Sequence, residues 1–132
     1  MSREKLKISI KSATQEIDQI ANEMINISHM IGGSFGFAYR RCGKANCWCN
    51  NKDKPGHPIV RITFTEQRKS RSKAIPSKDK EWIKEMTDNY RYFRQYFQKL
   101  RQCENKLNEL LNQFEQETKM ETKRLKDYLK IM

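Results

Sequence analysis

An α+β fold, with two helices flanking a small antiparallel sheet, is predicted by three observations. An apolar heptad lies near the amino terminus, a second heptad runs to the carboxyl end, and between them the period changes where cysteines cluster. Only 36% of the 132 residues are hydrophobic and 33% are charged, which excludes a large core. Long helices with narrow seams reconcile that composition with a folded chain, because a seam needs about two positions in seven.

The first element takes residues 1–33. Leu6, Ile10, Ala13, Ile17, Ile20, Met24, Ile27 and Ile31 alternate spacings of four and three, which predicts a heptad helix from Leu6 to Ile31 stopped by Gly32-Gly33. Residues 34–76 read as strands. Ser34 to Arg40 alternates large and small side chains. From Pro58 to Glu66, Ile59, Arg61 and Thr63 fall on one face and Val60, Ile62 and Phe64 on the other, and a short third strand fits Ser72 to Ile75.

The last element takes residues 77–132. Ser77 is its expected N-cap, Asp79 and Glu81 put negative charge in its first turn, and no Gly or Pro follows. One apolar ladder is Ile83, Tyr90, Phe97, Leu111 and Leu125, and the other is Met86, Phe93, Leu100, Leu107, Phe114 and Tyr128, with Glu104, Thr118 and Glu121 as interruptions. Such a helix runs roughly 80 Å, and the first helix covers about half of it. The expected remainder, with Leu107, Leu111, Phe114 and Leu125, predicts a coiled-coil contact with a second copy and hence a homodimer.

Cys42, Cys47, Cys49 and His57 fall in the stretch CGKANCWCNNKDKPGH. Three thiols and an imidazole make a four-coordinate set suited to structural Zn²⁺, with no open position for a catalytic water. Cys47 and Cys49 flank Trp48 and share one side of an extended segment, Gly43 allows a tight turn, and Pro55-Gly56 turns His57 back toward the thiols. His29 and Cys103 are alternative fourth ligands, and His57 is preferred because it is local. The amino-terminal MSREKLKISIKSATQEI has no uninterrupted apolar core and no apolar run reaches eighteen residues, so a reducing cytoplasm and no membrane association are expected. There thiols ligate metal more often than they form bridges.

Charge is uneven. Residues 40–80 carry twelve basic and three acidic residues, a net +9 of the whole chain's +11. A polyanion is the natural partner, with nucleic acid first and DNA ahead of RNA. The expected contacts are Arg40, Arg41, Lys44, Lys52, Lys54, Arg61, Arg68, Lys69, Arg71 and Lys73, since the run from Arg68 to Lys73 mixes cations with hydroxyls. In NYRYFRQYF, Tyr90, Phe93 and Phe97 fall on the seam, leaving Tyr92 and Tyr96 for stacking or packing.

The stretch CGKANCWC with its downstream His57, followed by a basic strand and the NYRYFRQYF helix, resembles a small group of bacterial and phage proteins. These carry a Cys-Gly-Lys-x-x-Cys-x-Cys motif and then His-Gly-Pro, and are commonly encoded in transposons and other mobile elements. The resemblance spans Phe35 to Leu111 and marks Cys42, Gly43, Lys44, Cys47, Cys49 and His57, although Pro58 here follows the histidine directly. It implies an accessory DNA-related role in recombination or transposition. No Walker loop, nucleophile motif or dinucleotide fingerprint is present, so catalysis is not expected. The alternative expectation is an adaptor or inhibitor that docks a recombinase, replication or defence protein through the coiled coil.

Overall fold

The computed structural model describes Met1–Ile131. Its elements are α1 (Arg3–Ile25), β1 (Ser34–Arg40), β2 (His57–Glu66), β3 (Lys69–Ile75) and α2 (Lys80–Leu125), so the chain is α+β with a three-stranded antiparallel sheet between two helices. It divides into two compact units, one made of Met1–Asn26 and the residues from Phe93 onward, the other of Ile27–Tyr92. No helix among the described residues is long and apolar enough to cross a membrane.

In the helical unit, Ser2 caps α1 by accepting the Lys5 N–H at 3.3 Å, and Leu6, Ala13 and Met24 of the heptad are buried. The helix ends at Ile25, with Asn26 as its C-cap, and not at Ile31 as the apolar period suggested. Ile27 and Ile31 are partly buried outside any helix, and the Ile31 N–H donates to the Met86 carbonyl at 3.0 Å. A connector that packs needs apolar residues too, so its composition mimics a continuing seam.

The antiparallel pairing of α1 with α2 follows from contacts within this unit. Arg3 meets Glu121 at 2.7 Å, and Leu6 and Ala13 form one core with Leu110, against which Ile10, Leu107 and Phe114 pack. Buried Cys103 lies near Glu16, and desolvation together with that carboxylate pushes its thiol up from the usual value. Phe93, Leu100, Leu107 and Phe114 hold the expected ladder, partly buried. The ladder of Ile83, Tyr90, Phe97, Leu111 and Leu125 holds at its start, with Ile83 buried and Tyr90 and Phe97 partly buried, and in this unit is then displaced by one residue. It runs through Tyr96, Cys103 and Leu110, while Glu104 is exposed and Leu111 is 44% exposed. Cys103 and Leu110 carry no charge, so this register avoids burying Glu104.

The start of α2 also differs from expectation. Ser77–Asp79 forms a 3₁₀ turn that has Pro76, not Ser77, at its N-cap position, with no side-chain capping hydrogen bond. At the far end α2 stops at Leu125, and a further 3₁₀ turn covers Asp127–Leu129.

In the sheet unit, β2 lies between β1 and β3. The register sets Phe35 opposite Ile62, Phe37 opposite Val60, Ile62 opposite Lys73 and Val60 opposite Ile75, which puts these side chains on one face. Val60 and Ile62 are buried there, as are Ile83, Met86 and Thr87 of α2. Gly33 is needed where it stands, because a Cβ would come within 2.7 Å of Ile62 and 2.8 Å of the Thr63 carbonyl. β2 and β3 are joined by Gln67-Arg68, both at positive φ, 50° and 67°, the backbone of a two-residue primed hairpin turn. β3 therefore starts at Lys69, three residues before the expected Ser72.

Candidate metal centre

The loop between β1 and β2 brings Cys42, Cys47, Cys49 and His57 together. Their ligand atoms all lie within 4.8 Å of one another, and no disulfide joins them. Cys42 Sγ is 3.5 Å from Cys49 Sγ, and Cys47 Sγ is 3.1 Å from His57 Nε2. A single tetrahedral ion with metal–sulfur bonds of about 2.3 Å sets neighbouring donors roughly 3.5–3.8 Å apart, so one ion can take all four with small adjustments. Burial of the four is graded: Cys49 is fully buried, Cys47 and His57 are partly buried, and Cys42 is exposed. His29 and Cys103 stand outside this group.

Local sequence explains how four donors converge. Cys42 follows β1 directly, and Gly43, at φ +80°, reverses the chain in a conformation that L side chains rarely adopt. Cys47 precedes a 3₁₀ turn, Trp48–Asn50, which projects Cys49 inward so that its sulfur accepts the Cys42 N–H at 3.3 Å. Gly56, at φ +98°, returns the chain to the sheet. A Cβ there would sit 3.1 Å from the Arg40 carbonyl, so the strand pairing and the glycine require each other. His57 then opens β2 opposite Arg40.

Two residues whose part in the loop the sequence did not reveal hold its fold. The Arg41 guanidinium donates to the Asn51 and Lys54 carbonyls, each at 3.3 Å, and the Asn50 amide donates to the Lys44 and Ala45 carbonyls at 2.6 and 3.0 Å. Arg41, one of the expected nucleic-acid contacts, is thereby engaged within the loop. The signal available in sequence was only that a loop with few apolar residues needs polar side chains to satisfy its carbonyls.

The thiols differ in acidity. The backbone N–H of Lys44, then hydrogen bonds with Cys47, Cys49 and His57, lower the Cys42 thiol from 9.0 to about 6. The Cys49 N–H pulls Cys47 down, but desolvation and the neighbouring thiols outweigh it, and Cys47 is raised. A cluster with one ready thiolate and further thiols beside it is suited to capturing a soft or borderline cation that displaces the remaining protons. Trp48 stays 48% exposed with its ring 4.6 Å from the His57 ring, and Lys54 Nζ sits 5.8 Å from the Trp48 centroid.

The structure separates the other expected contacts. Lys44, Lys52 and Lys54 are exposed on the metal loop, and Arg68 is exposed in the hairpin turn. Lys69, Arg71 and Lys73 fall on the sheet face of Phe64 and Ile62, whereas Arg40 and Arg61 fall on the other. Of the expected interface residues, Leu107 and Phe114 pack within the chain, and Leu111 and Leu125 are 44% and 74% exposed. Tyr96 is partly buried in the helical unit, and Tyr92 is 46% exposed.

Residues 6–85 match a family described as a domain of unknown function (DUF6788), and the chain belongs to that family. The match takes in α1, which the motif resemblance left out, and ends at Glu85. Comparison with curated proteins and with solved structures returns no match.

Proposed function

We propose that the chain is a nucleic-acid-binding protein, acting on DNA in preference to RNA, whose sheet unit is folded around a structural zinc ion held by Cys42, Cys47, Cys49 and His57. The donor set supports zinc: three thiolates and one imidazole close a tetrahedron and leave no site for catalytic water, so the ion's role is architectural.

The observation that carries the reading is unneutralised charge. Of the twelve cations between residues 40 and 80, only Arg71 has a carboxylate within ion-pair distance among the described residues, Glu66 at 3.6 Å. Ordinary solvated surfaces intersperse both signs, whereas a unit that keeps its cations unpaired favours a polyanion. The motif's resemblance to mobile-element proteins supports an accessory role in recombination or transposition. Exposed Leu111 and Leu125 offer a strip for pairing with a second copy.

The test is metal content by mass spectrometry together with binding of labelled duplex and single-stranded DNA across a salt series. One zinc per chain is expected, with log affinity falling linearly in log salt at a slope of about −0.9 per neutralised phosphate on duplex. Zinc without DNA affinity would transfer the basic unit to an acidic protein partner.

A further inference from the structure

We infer that the phosphodiester backbone of the bound nucleic acid lies on the open face of the sheet, the one that carries Arg61, and not along the basic run of β3. This rests on the nucleic-acid reading above and names its surface. Strand alternation divides the run from Arg68 to Lys73 in a way its sequence conceals. Lys69, Arg71 and Lys73 are opposite Glu66, Phe64 and Ile62, on the face that buries Ile62 and Val60, and Arg71 is spent in part on Glu66. The hydroxyls of Ser70 and Ser72 go to the other face, opposite Thr65 and Thr63.

That other face is built differently. Arg61 stands at its centre, with Gly36 directly opposite on β1 and Ala74 directly opposite on β3, so this arginine is flanked by two of the sheet's smallest residues. No carboxylate occurs on this face in any of the three strands. Arg61 has no ion pair or hydrogen bond among the described residues, and its Nε is shut off from solvent with no acceptor. A guanidinium carries five N–H donors in a fixed fork that matches phosphate.

Arg40, exposed, lies on the same face opposite His57, so the metal loop and this face meet at one end of β1 and β2. The cross-strand hydroxyl pairs Thr63–Ser72 and Thr65–Ser70 extend it at the other, and all four are exposed. Arginines with hydroxyls, small neighbours and no acid are what close approach of a sugar–phosphate chain requires.

The experiment compares the full-length, metal-loaded chain with Arg61→Gln, Ser72→Asp and the double variant Lys69→Gln/Lys73→Gln, on duplex and single-stranded oligonucleotides at several salt concentrations. Equal metal content and far-UV circular dichroism establish that each variant is folded, and Ser72→Asp alters only an exposed residue of an edge strand. Arg61→Gln and Ser72→Asp are each expected to weaken binding about tenfold or more, Arg61→Gln with a salt slope shallower by about one, while the double variant, which removes only long-range charge, weakens it less than either. Parent-like binding by Arg61→Gln and Ser72→Asp, with the loss confined to the double variant, overturns the surface and leaves nucleic-acid binding standing. Absence of binding by the parent overturns both.

Discussion

The two units of this chain solve the problem of folding with little apolar material in opposite ways. The helical unit gathers Leu6, Ala13 and Leu110 into one core and carries ion pairs between its own side chains, including Arg3–Glu121 and Lys119–Glu115. The sheet unit has three short strands, a loop of sixteen residues between β1 and β2, and twelve cations between residues 40 and 80 of which, among the described residues, only Arg71 meets a carboxylate. A three-stranded sheet is marginal on its own, and like charges concentrated on it add self-repulsion. The helical unit builds its core from its own side chains, whereas the sheet unit has in its loop four donors that could hold a metal ion and, on the function proposed above, takes an anion on its surface.

The largest expected effect breaks the comparison at the loop. Replacing Cys47 and Cys49 with Ser, or removing metal with a chelator, unfolds the sheet unit while most of the far-UV helical signal remains, because structural zinc contributes on the order of 10 kcal/mol to small domains that cannot fold without it. Amide resonances of β1 to β3 collapsing with those of α1 intact is the expected spectrum. Unchanged sheet resonances in the double variant would sink the metal assignment.

Acid acts on the same unit. Cys42 has a folded-state pKa of about 6, below the ordinary 9.0, so the contribution of its thiolate is full above pH 9 and is lost as pH falls through about 6. Protons compete with a metal for the thiolates, so the metal-loaded chain should release its ion as pH falls through and below about 6, read with a chromophoric zinc indicator. Full retention of the ion at about pH 4 would contradict ligation by thiolates.

Adjacent leucines sharpen the account of the helical unit. Leu110 is 8% exposed and Leu111 is 44% exposed, so Leu110→Ala should cost about 2–4 kcal/mol in thermal or urea melts and Leu111→Ala well under half of that. Equal losses would restore the register in which Leu111 faces the seam. The smallest effect is expected at Arg3→Ala. Its pair with Glu121 is 2.7 Å long, but the side chains are 32% and 44% exposed, and about 1 kcal/mol or less is at stake, diminishing with added salt.

How far the sequence could be read depended on how local the deciding interaction is. The four metal donors were legible because ligand chemistry is written in residue type, and Gly43 and Gly56 mark turns that their positive φ angles now account for. The α1 heptad was legible as far as Met24, and the strands were legible from their alternation. Where α1 ends was not legible, because Ile27 and Ile31 continue the period while their backbone leaves the helix. Nor was the displaced ladder of α2, although Glu104 in one candidate register and Cys103 in the other was a signal that favoured the second.

The sequence alone determined the α+β order of elements, the cluster of soft ligands and the concentration of positive charge, since each depends on composition and on spacing along the chain. Tertiary structure alone decided which helical face of α2 is the seam, that Arg41 is tied into the loop, and that the cations and hydroxyls of β3 part to opposite sides with Arg61 left unpaired among small neighbours. Those outcomes turn on pairing register and on which side chains meet across elements. A shift of one residue reverses a strand's faces or exchanges Leu110 for Leu111 without altering the composition from which the chain was read.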